Sequence, residues 1–440
     1  MKNKLLTKLF IIPTIFSLAS CSSALSEMKL LRSPEGLSHD FAWETRQDPA
    51  YILFKEKMEA FAASISENYK KREFSQTENL VISPFSIELC LGLAVSSSDG
   101  VTRQELLDAM DVDFETFDRY YKHFYNEVLG SLTNQDNKVI SEILLTNSIW
   151  IDNNIKLKDT GLDALKDDYY CYSYEADFDE KLKQSIEAIR EFISDKTRGL
   201  LRPSLDLSEE TLFVLMNTIY LKDVWNRYGD DLPYASDAIK FTNYNGQVSN
   251  KKLLRGDYVS GRKYVSEDFS SFYTAGQMVK ITFIKPSEGK RIDEVFTKEN
   301  IEAALDTSNY VRIDNEKKEI YYTETIFPEY EADCDYKLND MFIEDYNVKS
   351  LFSDTCNFDN LVYPDDQVYC ETFKQIAKLK VNKKGIEGAA VTYMAMDATS
   401  APIEEEYKDV YETFTVDKEF GYIISRNDAI LFSGVVTNID

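Results

Sequence analysis

The side chains that most often carry out catalytic or metal chemistry are scarce in this chain. It has only two histidines, His39 and His123, among 440 residues, so a Ser-His catalytic pair or a histidine metal site has few candidates. Five cysteines follow the N-terminal region without Cys-x-x-Cys spacing; they are Cys90, Cys171, Cys334, Cys356 and Cys370. We interpret them as packing residues. With no nucleophile–base set and no phosphate-binding glycine loop, the sequence predicts neither an enzyme nor a cofactor.

The charge balance and the apolar content narrow the class of protein further. The chain has 76 Asp and Glu against 50 Lys and Arg, which gives a net charge of −26. Such an acidic surface repels phosphate backbones, so we expect no nucleic-acid partner. Hydrophobic residues make up 43% of the sequence, whereas Gly and Pro number only 16 and 10. This composition predicts a large packed core and excludes collagen-like chains and long flexible linkers.

The N-terminal segment has the composition of an export signal. Three lysines within the first eight residues precede an apolar run over residues 9–18, which is too short to persist as a membrane-spanning helix. The following Leu18-Ala19-Ser20-Cys21 resembles the bacterial lipobox, in which the cysteine is lipidated. We therefore predict a lipoprotein signal peptide over residues 1–20, a lipid anchor at Cys21 and a polar tether over residues 21–40. An ordinary signal peptide that contains a cysteine by chance is the alternative.

The rest of the chain shows both helical and strand-like patterns. Ser83-Pro84 is typical of a helix start, with a capping serine and a proline in the first turn. The almost continuous apolar run over residues 211–221 predicts a strand covered on both faces, and residues 139–151, 278–284 and 430–436 predict further strands. The regular βαβ rhythm of a doubly wound sheet is missing. The sequence therefore predicts a mixed α/β (α+β) fold, which we expect to form one domain over residues 41–440.

Six short motifs resemble, in the right order, motifs of the serpin family. They are Asn79-Leu80-Val81-Ile82-Ser83-Pro84-Phe85-Ser86-Ile87, Gly100-x-Thr102, Asp195-Lys196-Thr197-Arg198-Gly199, Asn217-Thr218-Ile219-Tyr220-Leu221-Lys222 with Trp225, Lys384-Gly385-x-Glu387-Gly388-Ala389-Ala390, and Leu431-Phe432-x-Gly434. Each motif alone has low specificity. Six in order over residues 79–436 make a strong resemblance.

The resemblance implies a serpin fold with three β-sheets, about nine helices and an exposed reactive-centre loop, here at about residues 385–407. In that family a target protease cleaves the loop and forms an acyl-enzyme with it. The loop then inserts as a new strand into the main sheet and carries the protease to the opposite pole, where its active site is distorted. The driving force is a native state held away from its most stable sheet pairing.

The hinge of this loop corresponds to Gly385, Ile386, Glu387, Gly388, Ala389, Ala390 and Val391. A buried strand alternates its faces with a period of two. One face would carry Ile386, Gly388, Ala390, Thr392, Met394 and Met396, which include no charge, so we expect this face to point inward after insertion. A plain surface loop is the alternative, although such loops usually carry charge on both faces.

Several positions depart from the family pattern. Lys383 stands where the family usually has Glu, Ile386 where it has Thr or Ser, and Val391 where it has Ala. The region where the central strands part, the shutter and breach of the family, corresponds to Ser83, Ser86, Asn217, Trp225 and Gln375. The family's histidine aligns with Gln375, whose amide we expect to hydrogen-bond to Asn217.

Loop length places the scissile bond at Thr399-Ser400, with Met394 and Met396 as alternative cleavage positions. Residues 386–407 contain no Lys or Arg, so a trypsin-like pocket has nothing to bind. The small β-branched Thr399 suits elastase-like or subtilisin-like proteases with shallow pockets. The run Glu404-Glu405-Glu406 favours a protease with a basic rim.

These features predict an irreversible inhibitor of serine endopeptidases, with cysteine endopeptidases left open. We expect an exported bacterial outer-membrane lipoprotein, monomeric, whose partners are the target protease and, through Cys21, the membrane. A non-inhibitory binding lipoprotein with the serpin fold is one alternative, favoured by Lys383, Ile386 and Val391. An unrelated glycan-binding lipoprotein is another, although most of the 28 Tyr, 26 Phe and 3 Trp lie in patterns typical of a core.

Overall fold

The computed structural model describes residues 23–35, 43–225, 230–363, 368–388 and 407–440. Within these ranges the chain has ten α-helices, which are α1 Trp43–Arg46, α2 Pro49–Glu73, α3 Pro84–Ser97, α4 Gly100–Ala109, α5 Phe114–Val128, α6 Asp159–Asp168, α7 Leu182–Lys196, α8 Ile292–Val295, α9 Lys298–Leu305 and α10 Asn339–Asp345. None of these helices has the length and apolar character needed to cross a membrane.

The described residues also form seventeen strands in three β-sheets. The strands are β1 Lys29–Arg32, β2 Gly130–Thr133, β3 Val139–Asp152, β4 Cys171–Ala176, β5 Phe213–Val224, β6 Leu254–Ser260, β7 Tyr264–Val265, β8 Phe269–Ala275, β9 Lys280–Pro286, β10 Ile313–Asp314, β11 Glu319–Phe327, β12 Tyr330–Lys337, β13 Lys374–Asn382, β14 Gly385–Gly388, β15 Lys408–Thr415, β16 Phe420–Arg426 and β17 Ala429–Val436. The four strands expected from apolar runs are confirmed, as β3, β5, β9 and β17.

The eight-stranded main sheet has the order β1-β4-β3-β5-β14-β13-β12, with β2 paired to β3. The five-stranded sheet has the order β17-β16-β9-β8-β7, and in the four-stranded sheet β11 pairs with β6, β10 and β15. The strand β15 begins directly after residues 389–406, so the four-stranded sheet receives the chain where the predicted loop ends. The architecture is the predicted mixed α and β fold with three sheets.

The helix α3 lies in the core between two sheets, in contact with β5 of the main sheet and β17 of the five-stranded sheet. Its start is fixed locally, because the hydroxyl of Ser83 accepts a hydrogen bond from the Ser86 backbone N–H and Pro84 occupies the first turn. Phe85, Leu89 and Leu93 of this helix are fully buried. The capping predicted from the sequence therefore positions Ser83 and Ser86 beneath the main sheet.

The N-terminal region corrects one prediction. A polar tether was expected over residues 21–40, but Ala24–Glu27 form a 3-10 turn and Lys29–Arg32 form an edge strand of the main sheet, antiparallel to β4. The physical reason is that Leu25 and Met28 bring apolar side chains to a partly buried position against α7. The described part of this segment is thus docked on the domain.

The five cysteines in the described ranges are all free. Cys90, Cys171 and Cys334 are buried, and burial raises the pKa of the Cys90 and Cys334 thiols to about 12. Thiols held protonated in this way are poor nucleophiles and poor metal ligands. They pack as small apolar side chains, which agrees with the interpretation from the sequence.

Candidate functional site

The hinge strand β14 lies between β5 and β13 in the centre of the main sheet. It pairs antiparallel with both neighbours: Gly385 to Gly388 lie opposite Val224 to Leu221 on one side, and Gly385 to Glu387 lie opposite Asn382 to Lys380 on the other. The chain therefore turns back after β13 and begins a new central strand. The segment that follows this strand is the predicted reactive-centre loop.

The side chains of the hinge strand alternate between the core and the solvent. Ile386 is buried, with 1% exposure, and Glu387 points to solvent. A side chain at Gly385 would overlap the carbonyl oxygen of Asp223 on the neighbouring strand, so the close approach of the two backbones requires glycine there. The placement of Ile386 and Gly388 on the buried face agrees with the period of two expected from the sequence.

Beyond the hinge strand the main sheet is open. Among the described residues, β5 and β13 are joined only through β14, so Phe213–Tyr220 and Lys374–Leu379 face each other across an unpaired gap. A cavity of about 170 Å³ occupies this gap. Its walls are the two strands, its floor includes Ser83, Ser86 and Ile87 of α3, and its roof is residues 200–207. Unpaired strand edges on both sides make the gap a site for one further strand.

A chain of hydrogen bonds ties β5 to the helix below it. The hydroxyl of Ser86 donates to Asn217 Oδ1 over 2.7 Å, and Asn217 Nδ2 donates to Asn147 Oδ1 over 2.8 Å. Asn147 in turn donates to the Tyr121 hydroxyl and to the Tyr169 carbonyl. The side-chain amides of Asn217 and Asn147 therefore have hydrogen-bond partners without an inserted strand. The structure brings Ser86 and Asn217 together as the sequence placed them.

The expected hydrogen bond between Gln375 and Asn217 is wrong. Gln375 Oε1 accepts from the Ser83 backbone N–H over 2.7 Å, and Gln375 Nε2 donates to the Ser83 carbonyl over 2.8 Å. Because the gap separates β5 from β13, the side chain of Gln375 turns to the backbone before α3 instead of crossing to β5. Each wall of the gap is thus tied independently to the first turn of α3, β5 through Ser86 and β13 through Ser83.

Trp225 closes the end of the gap at the hinge. It is 4% exposed, and its indole Nε1 donates to the carbonyl of Asn382 at the end of β13 over 2.7 Å. Next to it, Lys383 forms an ion pair with Asp231 at 2.7 Å, and its backbone N–H donates to Glu329. Lys383, which departs from the family pattern, therefore has two acidic partners, Asp231 for its side chain and Glu329 for its backbone N–H.

Asp223 is a buried carboxylate beside the hinge that the sequence analysis did not select. Its Oδ1 accepts from the Ser141 hydroxyl over 2.7 Å, and its Oδ2 accepts from the backbone N–H groups of Met278 and Val279 over 3.0 Å each. Burial raises its pKa to about 6, against the lowering effect of these hydrogen bonds. The residue was visible in the sequence, because it stands where the serpin motif Asn-Ala-Ile-Tyr-Phe-Lys-Gly-x-Trp has its glycine.

The remaining predicted site residues lie outside the described ranges. They are Cys21, Ala389, Ala390 and Val391, the reactive-bond residues Thr399 and Ser400, and the alternatives Met394 and Met396. Asn147, which completes the hydrogen-bond chain under the gap, was missed. Its signal was a lone amide in the mostly apolar segment over residues 139–151, just as Asn217 is a lone amide in the apolar run over residues 211–221.

Among the described residues, the main sheet has a central gap whose upper end is occupied by the hinge strand. A family model described as serpin (serine protease inhibitor) matches residues 56–439. The chain belongs to the serpin family. Among its curated relatives is Iripin-1 of Ixodes ricinus, 23% identical over 375 residues, an alignment that covers 82% of this chain and 89% of the relative.

Solved structures show the same fold at low sequence identity. The native state of the thermophilic serpin tengpin matches with a TM-score of 0.67 and 19% identity, over 87% of this chain and 95% of that one. Human thyroxine-binding globulin complexed with thyroxine matches with a TM-score of 0.67 and 17% identity, over 88% of this chain and 99% of that one. Serpins of this family act as protease inhibitors rather than as catalysts, although the second match is named as a binding protein.

Proposed function

We propose that this serpin inhibits serine endopeptidases irreversibly by inserting its cleaved loop into the gap between β5 and β13. The observation that carries the proposal is the hinge strand, which already occupies one end of a gap that no other described strand fills. A strand that enters the rest of the gap gains hydrogen bonds on both sides, so cleavage of the loop releases a stabilising rearrangement. Cysteine endopeptidases remain a second target class.

The loop sequence supports elastase-like or subtilisin-like targets. The protease nucleophile would attack the carbonyl carbon of Thr399, forming an acyl-enzyme ester and releasing the amino group of Ser400. Insertion of residues 389–399 would then move the attached protease before water can hydrolyse the ester. The absence of Lys and Arg from residues 386–407 makes trypsin-like proteases poor targets.

Incubation of the purified protein with pancreatic elastase, subtilisin and trypsin tests this proposal. On a denaturing gel, we expect a band with elastase or subtilisin at the sum of the two masses less that of residues 400–440, and mass spectrometry should show this released fragment beginning at Ser400. Trypsin is the matched control and should give no such band. A nicked chain without a complex in every case would instead support the non-inhibitory binding protein, which the unusual Lys383, Ile386 and Val391 favour.

We also propose that the inhibitor is an exported bacterial lipoprotein anchored in the outer membrane through Cys21. The support is the sequence around Leu18-Ala19-Ser20-Cys21 after a basic and apolar leader. Only Ser22 separates this cysteine from the docked 3-10 turn with its N-cap at Ser23. The inhibitor domain would therefore be held close to the lipid surface, without a long tether.

A further inference from the structure

The N-terminal residues 24–32, here called the N-terminal clamp, contact three elements at one edge of the main sheet. The backbone N–H of Leu25 donates to Glu191 Oε2 on α7 over 2.9 Å. Arg32 forms ion pairs with Asp159 and Asp163 of α6, both at 2.7 Å, and Lys29 pairs with Glu175 of β4 at 2.6 Å. The clamp therefore joins α7, α6 and β4, the strand next to β1.

Apolar contacts connect the clamp to the gap in the sheet. A cluster separate from the main core lies between α7 and the outer face of the sheet, with Trp150 stacked on Tyr174 at 4.4 Å and Phe192 of α7 packed edge-on against Trp150. Ala24, Leu25 and Met28 pack on this cluster from the clamp. Leu201, Leu205 and Leu207 pack on it from the segment that roofs the gap.

Insertion of a new strand must disturb this cluster. On insertion, the outward face that begins with exposed Glu387 would be continued by every second residue of the new strand, and these side chains would meet residues 200–207 above the gap. That roof continues directly from α7 through Thr197 and Gly199. Lifting the roof therefore loosens α7, and the clamp opposes any movement of α7 away from the sheet.

We propose that the N-terminal clamp sets the rate of loop insertion by holding α7 and the gap roof against the main sheet. Arg32, Leu25 and Met28 are positioning residues for the inhibitory reaction, because they act through α6 and α7. This inference rests on the proposed function for its biological meaning. The opening of the gap can nevertheless be measured without any protease.

The experiment follows the incorporation of a fluorescent synthetic peptide with the sequence of residues 389–397 into the full mature chain, read by a native gel over time. We expect Arg32→Ala and the double change Leu25→Ser with Met28→Ser to accelerate incorporation, by about tenfold for the double change. Arg32→Lys, which keeps one charge contact, should give an intermediate rate. Leu30→Ser is the matched control, because Leu30 lies on β1 but is 47% exposed, and its rate should equal that of the wild type.

The possible results distinguish control of the insertion rate by the clamp from a role in stability alone. They also test this inference independently of the proposed inhibition of proteases. Lower thermal stability of the clamp variants at an unchanged incorporation rate would overturn the inference, as would equal acceleration by Leu30→Ser or no incorporation in any variant. Absence of a protease complex with the wild type would count against the proposed function alone. Where complexes form, the clamp variants should consume fewer inhibitor molecules per protease, because faster insertion leaves less time for hydrolysis of the acyl-enzyme.

Discussion

Ile386 lies opposite Asp223 in the antiparallel pairing of β14 with β5, and its side chain is 1% exposed. The first residues of the predicted loop are therefore part of the sheet before any cleavage. The Asp223 carboxylate also accepts hydrogen bonds from the backbone N–H groups of Met278 and Val279, the two residues directly before β9 of the five-stranded sheet. The entrance of the gap is thus a junction between two sheets, and the proposed insertion would extend a strand that already exists.

Replacing Ile386 tests whether the hinge strand is seated in the intact protein. Ile386→Ala should lower the free energy of unfolding by about 3 kcal/mol, because it removes a buried branched side chain and leaves a cavity. Glu387→Ala, one residue away on the exposed face, should change it by less than about 0.5 kcal/mol. Urea denaturation of both variants provides the measurement. Equal effects of the two changes would contradict a seated hinge strand.

By the period of two, Ala390 would share the buried face of Ile386 and Gly388 once the loop is inserted. We expect Ala390→Arg to place an unpaired charge in the completed sheet, slow the insertion and turn the inhibitor into a substrate cut at the same bond. The number of inhibitor molecules consumed per protease inactivated is the measurement, with Ala389→Arg on the opposite face as the milder comparison. Undiminished inhibition by Ala390→Arg would show that the loop does not act by strand insertion.

Thr399 is expected to set the target class. Thr399→Arg supplies the cation that a trypsin-like pocket requires, so the variant should gain complex formation with trypsin and lose it with elastase. Densitometry of the complex bands measures this change, and Met394→Arg serves as the comparison for the alternative position. Trypsin reactivity in the Met394→Arg variant alone would move the reactive bond to that methionine.

Glu88 on α3 predicts a dependence of stability on pH. Its two carboxylate oxygens are buried without a hydrogen-bond partner among the described residues, and burial raises its pKa well above 4.5. The charged form is favoured only in the unfolded chain, so the contribution of Glu88 to stability is present below pH 4.5 and is lost as the pH rises toward the pKa in the folded state.

The variant Glu88→Gln removes this proton linkage while keeping the shape of the side chain. We expect its thermal midpoint to exceed that of the wild type at pH 7 and the difference to shrink toward pH 4. Glu56→Gln at an exposed position of α2 should show no such trend. A difference between Glu88→Gln and the wild type that does not change with pH would refute a buried titrating carboxyl.

Cys21 is the residue on which the proposed membrane anchor depends. In cells that carry the full precursor, the wild type should sediment with membranes and Cys21→Ser should not. The docked clamp adds a second expectation: limited proteolysis should spare residues 24–32, which are held by backbone pairing and ion pairs. Equal membrane association of the two proteins would contradict a lipid anchor at Cys21. Rapid cleavage within residues 24–32 would contradict a docked clamp.

Much of this protein is determined by local sequence. The capping pair Ser83-Pro84 starts α3, apolar runs give β3, β5, β9 and β17, and the alternation after Gly385 assigns Ile386 to a buried face. These predictions succeed because caps and periodicity depend on neighbours within a few residues along the chain. The order of the motifs likewise identified the family before any contact was known.

Only the tertiary structure decided how distant segments meet. The sequence predicted Asn217 as the partner of the Gln375 amide, but the gap separates β5 from β13, and Gln375 bonds to the backbone of Ser83 instead. The N-terminal clamp was predicted as part of a tether because this short segment has no helical or strand pattern of its own. Its structure comes from β4, α6 and α7, more than 120 positions further along the chain. Pairing across such distances depends on the packed surface of the whole domain, which local sequence patterns do not encode.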